Sequence, residues 1–357
     1  MPDLIQYKCP NCGGALEFSS GTQKMKCPFC DSEFDVDALK AYDDVLKDDM
    51  QFESTPGQEW LSEEQQGMAL YLCQSCGGQV ITEETTAATK CPYCGNVVVM
   101  AGNLSGELRP DLVIPFKKDK EEAKKALFNH FKGKKLLPRV FKDQNHIDEI
   151  KGVYVPFWLF DANSHADVRY HATRVRHWSD SRYNYTETSH FAATRVGDVD
   201  FEGVPCDGSS KMDDALMDSL EPFDMSEAVD FQTAYLAGYL ADKFDVTTED
   251  STERARLRIK KSVEDLFRTT VTGYSSVNVE SSGVVLKHAH ARYGLFPVWI
   301  LNTTWKNNKY VFAMNGQTGK LVGDLPCDKG KAARVFWLTA LGVAAAAYAL
   351  FLWLGVF

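Results

Sequence analysis

Four C-x-x-C pairs near the N-terminus constrain the fold of this chain more than any other feature. Each pair sits on a tight turn whose two thiols converge on one point, which suits a tetrahedral metal ion better than a disulfide framework. Both sets of two pairs have the same internal spacing, and the second set follows the first at an offset of 64 residues. The sequence therefore predicts two four-cysteine zinc ribbons, with the metal ligands Cys9, Cys12, Cys27 and Cys30 in one and Cys73, Cys76, Cys91 and Cys94 in the other.

Four thiolates close the coordination sphere of a zinc ion, so that such a site stabilises a fold and leaves no position open for a substrate. A ribbon of this size buries too little apolar surface to fold without help, and metal binding would supply most of its stability. We expect two Zn²⁺ per chain and a reducing compartment. Iron is the alternative metal, since four thiolates also hold a single iron.

The turns that carry the cysteines contain glycines at matching positions. Gly13 and Gly77 follow the first pair of each ribbon, where a positive φ lets backbone amides point at sulfur. Asp31 stands where the second ribbon has Gly95. Because Asp can adopt this conformation at small cost, we expect the same turn there.

An acidic segment separates the two ribbons. Residues 31–70 hold twelve Asp or Glu and two Lys, which accounts for the formal net charge of −10 of the whole chain. We predict ribbon 1 over residues 1–34, an acidic, mobile linker over 35–68 with a short helix, and ribbon 2 over 69–102. A basic field is missing, so nucleic acid is not expected as the main ligand.

Residues 111–327 show the mixed patterns of an α+β domain with an antiparallel sheet. Helical spacing covers 121–131, a further helix is predicted from Thr247 or Thr248, and a capping-box pattern at Asp224 predicts another that extends to about Phe244. Between the helices lie β-rich runs, with hairpin turns expected at residues 179–182 and 307–308. The run Val155–Leu159 resembles Phe296–Ile300, which suggests an internal duplication of this domain.

The last 23 residues, 335–357, contain no charged side chain. A helix of this length spans about 35 Å, enough to cross a hydrocarbon core of about 30 Å. Trp337 and Trp353 lie near its ends, and Lys329, Lys331 and Arg334 precede it. We therefore predict a single-pass helix in the cell membrane with the N-terminal bulk in the cytoplasm, as the start of the chain lacks a signal-peptide pattern. Whether this helix self-associates, and the oligomeric state of the chain, stay open.

The remaining candidates for chemistry are weaker. His165, His171 and His177 share strand parity, and His288 and His290 share a face, which is more typical of polar strand residues than of a site. Cys206 and Cys327 are interpreted as packing residues, because no histidine stands at a recognisable spacing from them. Without a phosphate loop or a nucleophile motif, we expect no enzymatic activity and no catalytic or cofactor-binding residues.

Several segments resemble a family of bacterial TFIIB-type zinc-ribbon-containing proteins. The similar segments are CPNCGG and CPFC in the first ribbon, VPFWLFD at 155–161, the stretches 204–224 and 235–242, and FAMNGQTGKLVGDLP at 312–326. Members are often labelled as related to helicases or the primosome, and some relatives are encoded beside SPFH (flotillin-like) and phage-shock-type proteins. The resemblance implies an adaptor at the membrane, in a membrane-stress response, with an SPFH-like protein as a candidate partner.

Two functions follow from these expectations. The first is a membrane-tethered zinc-ribbon scaffold that recruits a cytosolic protein to the inner face of the membrane. Phe29 and Tyr93, which lie between metal ligands, are the candidate contacts for the partner, unless they only cover the metal. The alternative is a nucleic-acid-binding ribbon protein related to replication factors, without helicase activity of its own.

Overall fold

A computed structural model describes most of the chain, and the chain forms two compact units, each assembled from three segments. Unit 1 comprises Met1–Pro56, Trp158–Cys206 and Thr247–Arg292, and unit 2 comprises Gly57–Phe157, Asp207–Val246 and Tyr293–Phe357. The predicted α+β region is thus shared between both units. The described residues are 9–11, 13–19, 22–39, 48–52, 59–60, 62–65, 68–83, 90–102, 108–143, 147 and 149–353.

Strands outnumber helices in the described residues. The helices are α1 (Ser62–Gln65), α2 (Lys120–Phe131), α3 (Asp214–Leu220), α4 (Thr248–Thr269) and α5 (Lys329–Trp353). The strands are β1 (Glu17–Ser19), β2 (Lys24–Lys26), β3 (Glu33–Phe34), β4 (Met68–Leu72), β5 (Gln79–Glu83), β6 (Val99–Gly102), β7 (Leu112–Val113), β8 (Lys151–Ser179), β9 (Asn184–Asp207), β10 (Val229–Asp230), β11 (Leu240–Asp242), β12 (Ser276–Trp305), β13 (Asn308–Asn315) and β14 (Leu321–Gly323).

In unit 1, the first ribbon is a small antiparallel sheet of β1, β2 and β3. Its core consists of two cysteines, Cys9 and Cys27, together with Leu16 and Leu39. Leu39 lies in a helical turn that the structure describes over residues 36–39, near the start of the acidic segment. So few apolar side chains cannot stabilise a ribbon without a further contribution, as the sequence predicted.

The larger part of unit 1 is a helix packed on long strands. The buried face of α4 carries Ala255, Ile259 and Val263, spaced as the sequence predicted, and the N-terminus of α4 is capped by Thr247, whose side chain accepts a hydrogen bond from the Asp250 N–H. This face packs in one core with Val168 and Tyr170 of β8 and Val284 of β12, among others.

Part of the acidic segment is docked on this core, whereas the sequence predicted a mobile linker. Asp49 donates its N–H to Val284 O at 3.0 Å and so adds a β-bridge to β12. Asp48 forms an ion pair with Lys260 of α4 at 2.6 Å, and Met50 is buried. Charge alone suggested a solvated chain, but the polar Asp49 and Gln51 alternate with the apolar Met50 and Phe52, so one side of the segment is buried and the other is exposed to water. The rest of the predicted linker lies largely outside the described residues.

The sheet of unit 2 is mixed, although the sequence predicted an antiparallel one. β7 pairs in parallel with β12, and β11 pairs in parallel with β8. Parallel strands need a long crossover connection, and both pairs have one, residues 114–275 between β7 and β12 and residues 180–239 between β8 and β11. β5 of the second ribbon pairs antiparallel with β11, which makes the ribbon strands β4, β5 and β6 the end of this sheet. The predicted boundary after residue 102 therefore does not coincide with a break in the sheet.

The two segments that resemble each other in sequence make the same backbone contacts in unit 2. Gly208 donates its N–H to Pro156 O at 2.9 Å, and Gly316 donates to Pro297 O at 2.8 Å. The carbonyl of each glycine accepts two successive N–H groups, from residues 245 and 246 at Gly208 and from residues 117 and 118 at Gly316. The two donating residues of each pair lead into a helix that starts two residues after the second donor, α4 at Thr248 and α2 at Lys120. The same arrangement occurs twice. In both copies the order along the chain is a short strand, a helix, a long strand and a return strand.

The predicted helix from Asp224 to about Phe244 is wrong. Asp224 caps only a 3-10 turn, Met225–Glu227, by accepting from the Ser226 N–H. Glu227 does not reach back to the cap as a capping box requires, because its carboxylate binds Gln317 and Lys117 instead. The chain then continues as the short strands β10 and β11.

Candidate metal centres

The second cysteine cluster brings together all four predicted ligands. The Sγ atoms of Cys73, Cys76, Cys91 and Cys94 lie within 4.8 Å of one another. Cys73 is 3.5 Å from Cys94, and Cys76 is 3.6 Å from Cys91, measured between sulfurs. A disulfide would bring them to about 2 Å, whereas four sulfurs at about 2.3 Å from one ion lie about 3.8 Å apart. The cluster therefore fits a tetrahedral metal ion.

The first cluster has the same form in the part that the structure describes. The sulfurs of Cys9, Cys27 and Cys30 lie within 4.8 Å of one another, with 3.5 Å between Cys9 and Cys30. The fourth predicted ligand, Cys12, lies outside the described residues. The three described thiols already form one face of a tetrahedral site.

The backbone of all four cysteine turns follows one pattern. In each turn the first cysteine accepts a hydrogen bond from the N–H four residues later and donates its own N–H to the carbonyl five residues later. The residue four positions on has positive φ in every case: Gly13 (74°), Asp31 (57°), Gly77 (72°) and Gly95 (77°). The predicted left-handed conformation of Asp31 is confirmed. This turn frees N–H groups for sulfur, as at Tyr93, whose N–H points at Cys91 Sγ at 3.4 Å.

The ionisation of the second cluster shows what charge the site requires. Burial opposes ionisation of Cys73, but backbone N–H groups of Cys76 and Ser75 outweigh it and lower the pKa of Cys73 to about 7. Burial raises the pKa of Cys76 and of Cys91. Burial, with a smaller contribution from neighbouring sulfurs, thus opposes ionisation of Cys76 and Cys91, and a divalent cation at the centre would allow all four cysteines to be thiolates.

Tyr93 is buried. It is therefore not an exposed contact for a partner, which was one of the two roles predicted for it. Its ring is 8% exposed, whereas Phe29 at the corresponding position of the first ribbon is 75% exposed. The phenol faces the carboxyl group of Asp242 on β11, although among the described residues neither the phenolic oxygen nor Asp242 Oδ1 completes a hydrogen bond. Asp242 Oδ2 accepts from the Ser209 hydroxyl at 2.5 Å.

Burial changes the protonation of the Asp242 carboxyl group. Asp242 is 1% exposed, and burial raises its pKa to about 7. Burial also raises the pKa of Tyr93. The second ribbon thus rests on the sheet of unit 2 through an uncharged phenol and a carboxyl group that keeps its proton up to about pH 7. No local pattern indicates this contact, since Asp242 lies 149 residues after Tyr93.

The predicted histidines lie on the sheet of unit 1 and bind different partners. His165 contacts Asp198 at 2.7 Å, His177 contacts Thr186 at 2.9 Å, and His171 contacts His190, which the sequence reasoning missed, at 2.9 Å. His290 lies 3.3 Å from a carboxylate oxygen of Asp161. Within the described residues, the two cysteine clusters are the groups that bring three or more such ligands together. Cys206 is buried, as expected of a packing residue, whereas Cys327 is exposed.

Helix α5 has the length and composition of a membrane span over Lys329–Leu350, and none of its most apolar window is buried against the described protein. Its large side chains are exposed on all sides, Trp337, Leu338 and Trp353 among them. Asp328 caps the start of the helix by accepting from the Gly330 N–H, and Lys331 binds Leu137 O. The last residues of the predicted span, 354–357, lie outside the described residues.

Fold and site together define a class: a sheet-rich protein with two cysteine clusters of the zinc-ribbon type and one apolar C-terminal helix. The chain belongs to the family of protein YdjG of Bacillus subtilis (strain 168), described as uncharacterized, to which it is 39% identical over 333 residues that cover 93% of each protein. No protein-family model matches the chain. No solved structure matches it either.

Proposed function

We propose that this chain is a membrane-tethered zinc-ribbon adaptor that recruits a cytosolic protein to the inner face of the cell membrane. The observation that carries the proposal is the uncovered surface of α5. A helix with exposed apolar side chains around its whole circumference needs an apolar environment, and its 22-residue span is long enough for a bilayer core. Lys329, Lys331 and Arg334 favour a cytoplasmic start of this helix.

Zinc is the metal we propose for both clusters. Four thiolates in a closed shell, with sulfur separations near those of a tetrahedron, suit zinc in a structural site. Each ion would be held by the sulfurs of one cluster, Cys9, Cys12, Cys27 and Cys30 in the first and Cys73, Cys76, Cys91 and Cys94 in the second. The metal then fixes the ribbon as a rigid surface and performs no chemistry.

The first ribbon is the proposed recruiting surface. Phe29 stands between two cysteines of the second turn and exposes three quarters of its side chain, whereas the matching Tyr93 is committed to a contact within unit 2. An exposed aromatic ring on a rigid turn is the kind of residue that anchors a protein interface. An SPFH-like membrane protein is the candidate partner that the family resemblance suggests.

Affinity capture from detergent-solubilised membranes tests the recruitment. Phe29→Ala should keep both metals and the fold but lose the partner that the unmodified chain captures. Phe18→Ala is the matched control, since Phe18 is also an exposed aromatic residue of the first ribbon, on β1. Equal capture by both variants and by the unmodified chain would contradict the proposal. Salt-sensitive capture of DNA would favour the nucleic-acid alternative.

A further inference from the structure

Strand β9 leaves a long edge of unit 1 unpaired. It runs for 24 residues, Asn184–Asp207, and among the described residues it pairs with β8 alone. A strand edge presents a row of N–H and C=O groups that can pair with another strand, and proteins usually cover or interrupt such an edge. The edge is regular from Asn184 to Glu202, before Gly203 with its positive φ of 64°, and an edge of this length is a candidate interaction surface.

In the part of the chain that the structure describes, no third strand pairs with the outer end of the β8–β9 hairpin. β12 starts at Ser276, and the neighbouring Ser275 donates its N–H to Thr173 O at 2.6 Å and accepts from the Val175 N–H at its hydroxyl at 2.9 Å. From residue 176 to residue 188 the hairpin is exposed on both faces. A two-stranded ribbon is marginally stable in water, and three or more strands are normally needed. Stacking of Trp178 on Tyr185, with ring centroids 5.4 Å apart, keeps the end of the hairpin in register.

The backbone groups that face the free edge follow from the register of the hairpin. The Asp180 N–H donates to Tyr183 O, so these two residues form a hydrogen-bonded pair at the turn. Side-chain contacts of His177 with Thr186 and of His165 with Asp198 show that the register does not shift further along. In an antiparallel ladder hydrogen-bonded pairs alternate, so the even-numbered residues of β9 direct their N–H and C=O groups to the free edge.

We propose that the free edge of β9 pairs antiparallel with the same edge of a second copy of this chain, about a two-fold axis at Thr194. Thr194 lies close to the middle of β9, so most of the strand can pair with its copy. This register places His190 opposite Asp198 of the other copy, twice, because a two-fold interface repeats each contact. The two sheets then become one continuous sheet with both α4 helices on the same face.

Neighbouring registers are less favourable. If the axis is moved to Arg195, this residue lies opposite Arg195 of the other copy, and like charges directly opposite each other are destabilising. An axis moved to Ala193 brings no opposite charges together. The pairing goes beyond the proposed adaptor function and is independent of the metals, since every residue that it uses lies on β9.

Cross-linking of the full chain in detergent tests the register. Thr194→Cys places a thiol on the axis, next to its own copy, and a short bis-maleimide should cross-link it. Thr186→Cys is the matched control, because Thr186 is also an exposed, edge-facing threonine of β9 but lies far from its own copy in this register. The unmodified chain, with its exposed Cys327, sets the background. No excess of cross-linked dimer for Thr194→Cys over both controls would overturn the proposal.

A second pair of variants tests the edge itself by sedimentation. Val196 is 58% exposed, and its N–H faces the free edge. Val196→Pro removes this N–H without removing a bond to β8, and should raise the dissociation constant of the dimer tenfold or more, whereas Val196→Ala should leave it unchanged. A dimer of equal strength in both variants contradicts the pairing. If Val196→Pro does not fold, the cross-linking result alone decides.

Discussion

The side-chain amide of Asn96 donates a hydrogen bond of 2.7 Å to the hydroxyl of Ser75, across the second cysteine cluster. In the first ribbon, Asn11 donates to Ser32 at 2.8 Å. The two bonds are equivalent but the residue types are exchanged between the turns, since Asn11 matches Ser75 and Ser32 matches Asn96 at the offset of 64 residues. Each bond ties together the two turns that supply the cysteines, and so holds the sulfurs in place from outside the cluster.

We expect two zinc ions per chain. Native mass spectrometry of the purified protein should show the mass of two zinc ions, and Cys91→Ser should lose one of them because three thiolates hold a structural zinc poorly. Cys327→Ser is the control, since this exposed cysteine belongs to neither cluster and its loss should leave both ions. Recovery of iron, or of one ion from the unmodified chain, would contradict the proposed metal content.

Gly95→Ala should weaken zinc binding by the second ribbon. Gly95 has φ +77°, and a Cβ at this position meets no atom within 4 Å, so the effect is confined to the backbone. A left-handed alanine costs about 1 kcal/mol, which corresponds to roughly a fivefold loss of affinity. Gly95→Asn should lose less, because Asn adopts this conformation more readily. Competition with a chromophoric chelator measures both, and equal affinity of Gly95→Ala and the unmodified chain would contradict the argument.

Asp242 should make the protein less stable as the pH rises. Burial raises its pKa to about 7, so between about pH 4 and pH 7 the folded chain binds a proton that the unfolded chain has released. Stability therefore falls through this window and stays low above it. Asp242→Asn, which is neutral at every pH, should flatten the dependence and raise the urea midpoint of the zinc-loaded protein at pH 8.

Asp245→Asn is the matched control for this experiment. Burial opposes ionisation of Asp245 as well, but the hydrogen bonds from Lys211 and Ser210 outweigh it and lower the pKa of Asp245. Its ionised form thus stabilises the fold, and the substitution should lower the urea midpoint at pH 8. A lower midpoint for Asp242→Asn too would show that the Asp242 carboxylate is stabilising, contrary to our account.

Gly316→Ala should destabilise unit 2 more than Gly208→Ala does. Both glycines make the same backbone hydrogen bonds, but their surroundings differ. A Cβ at Gly316 would lie 2.6 Å from the ring of Phe116 and 2.9 Å from Pro297 Cβ, whereas a Cβ at Gly208 would lie 3.3 Å from Pro156 O. Overpacking of a core costs about 1–3 kcal/mol. Thermal unfolding shows which of the two variants is less stable. A larger loss of stability for Gly208→Ala than for Gly316→Ala would contradict the prediction.

Local chemistry in the sequence predicted the parts of the structure that local contacts determine. The cysteine turns, including the left-handed Asp31, follow from spacing and residue type. Helix α2 follows from its apolar period, and the structure adds a capping box between Asp119 and Glu122 that was not predicted. The hairpin turn between β8 and β9 follows from its polar residues, although the turn itself is one residue later than predicted, at 180–183.

Long-range pairing could not be predicted in this way. The second ribbon joins the sheet of unit 2 because Ala241 pairs with Ile81, residues 160 positions apart. Glu227 leaves its expected capping role because Lys117 and Gln317 lie beside it in the fold. The burial of Tyr93 could not be predicted either, since Asp242, which its phenol faces, is distant in sequence. A single sequence shows the residue types, but not which of them meet.

Partition of the protein after a carbonate wash of membranes tests the membrane-tethered adaptor most directly. The full chain should stay in the pellet, because the exposed apolar surface of α5 would be buried in the bilayer. A variant that ends at Arg334 should move to the supernatant and still carry two zinc ions, since both clusters lie far from α5 in sequence. Release of the full chain by the wash, or retention of the shortened variant in the pellet, would contradict the account.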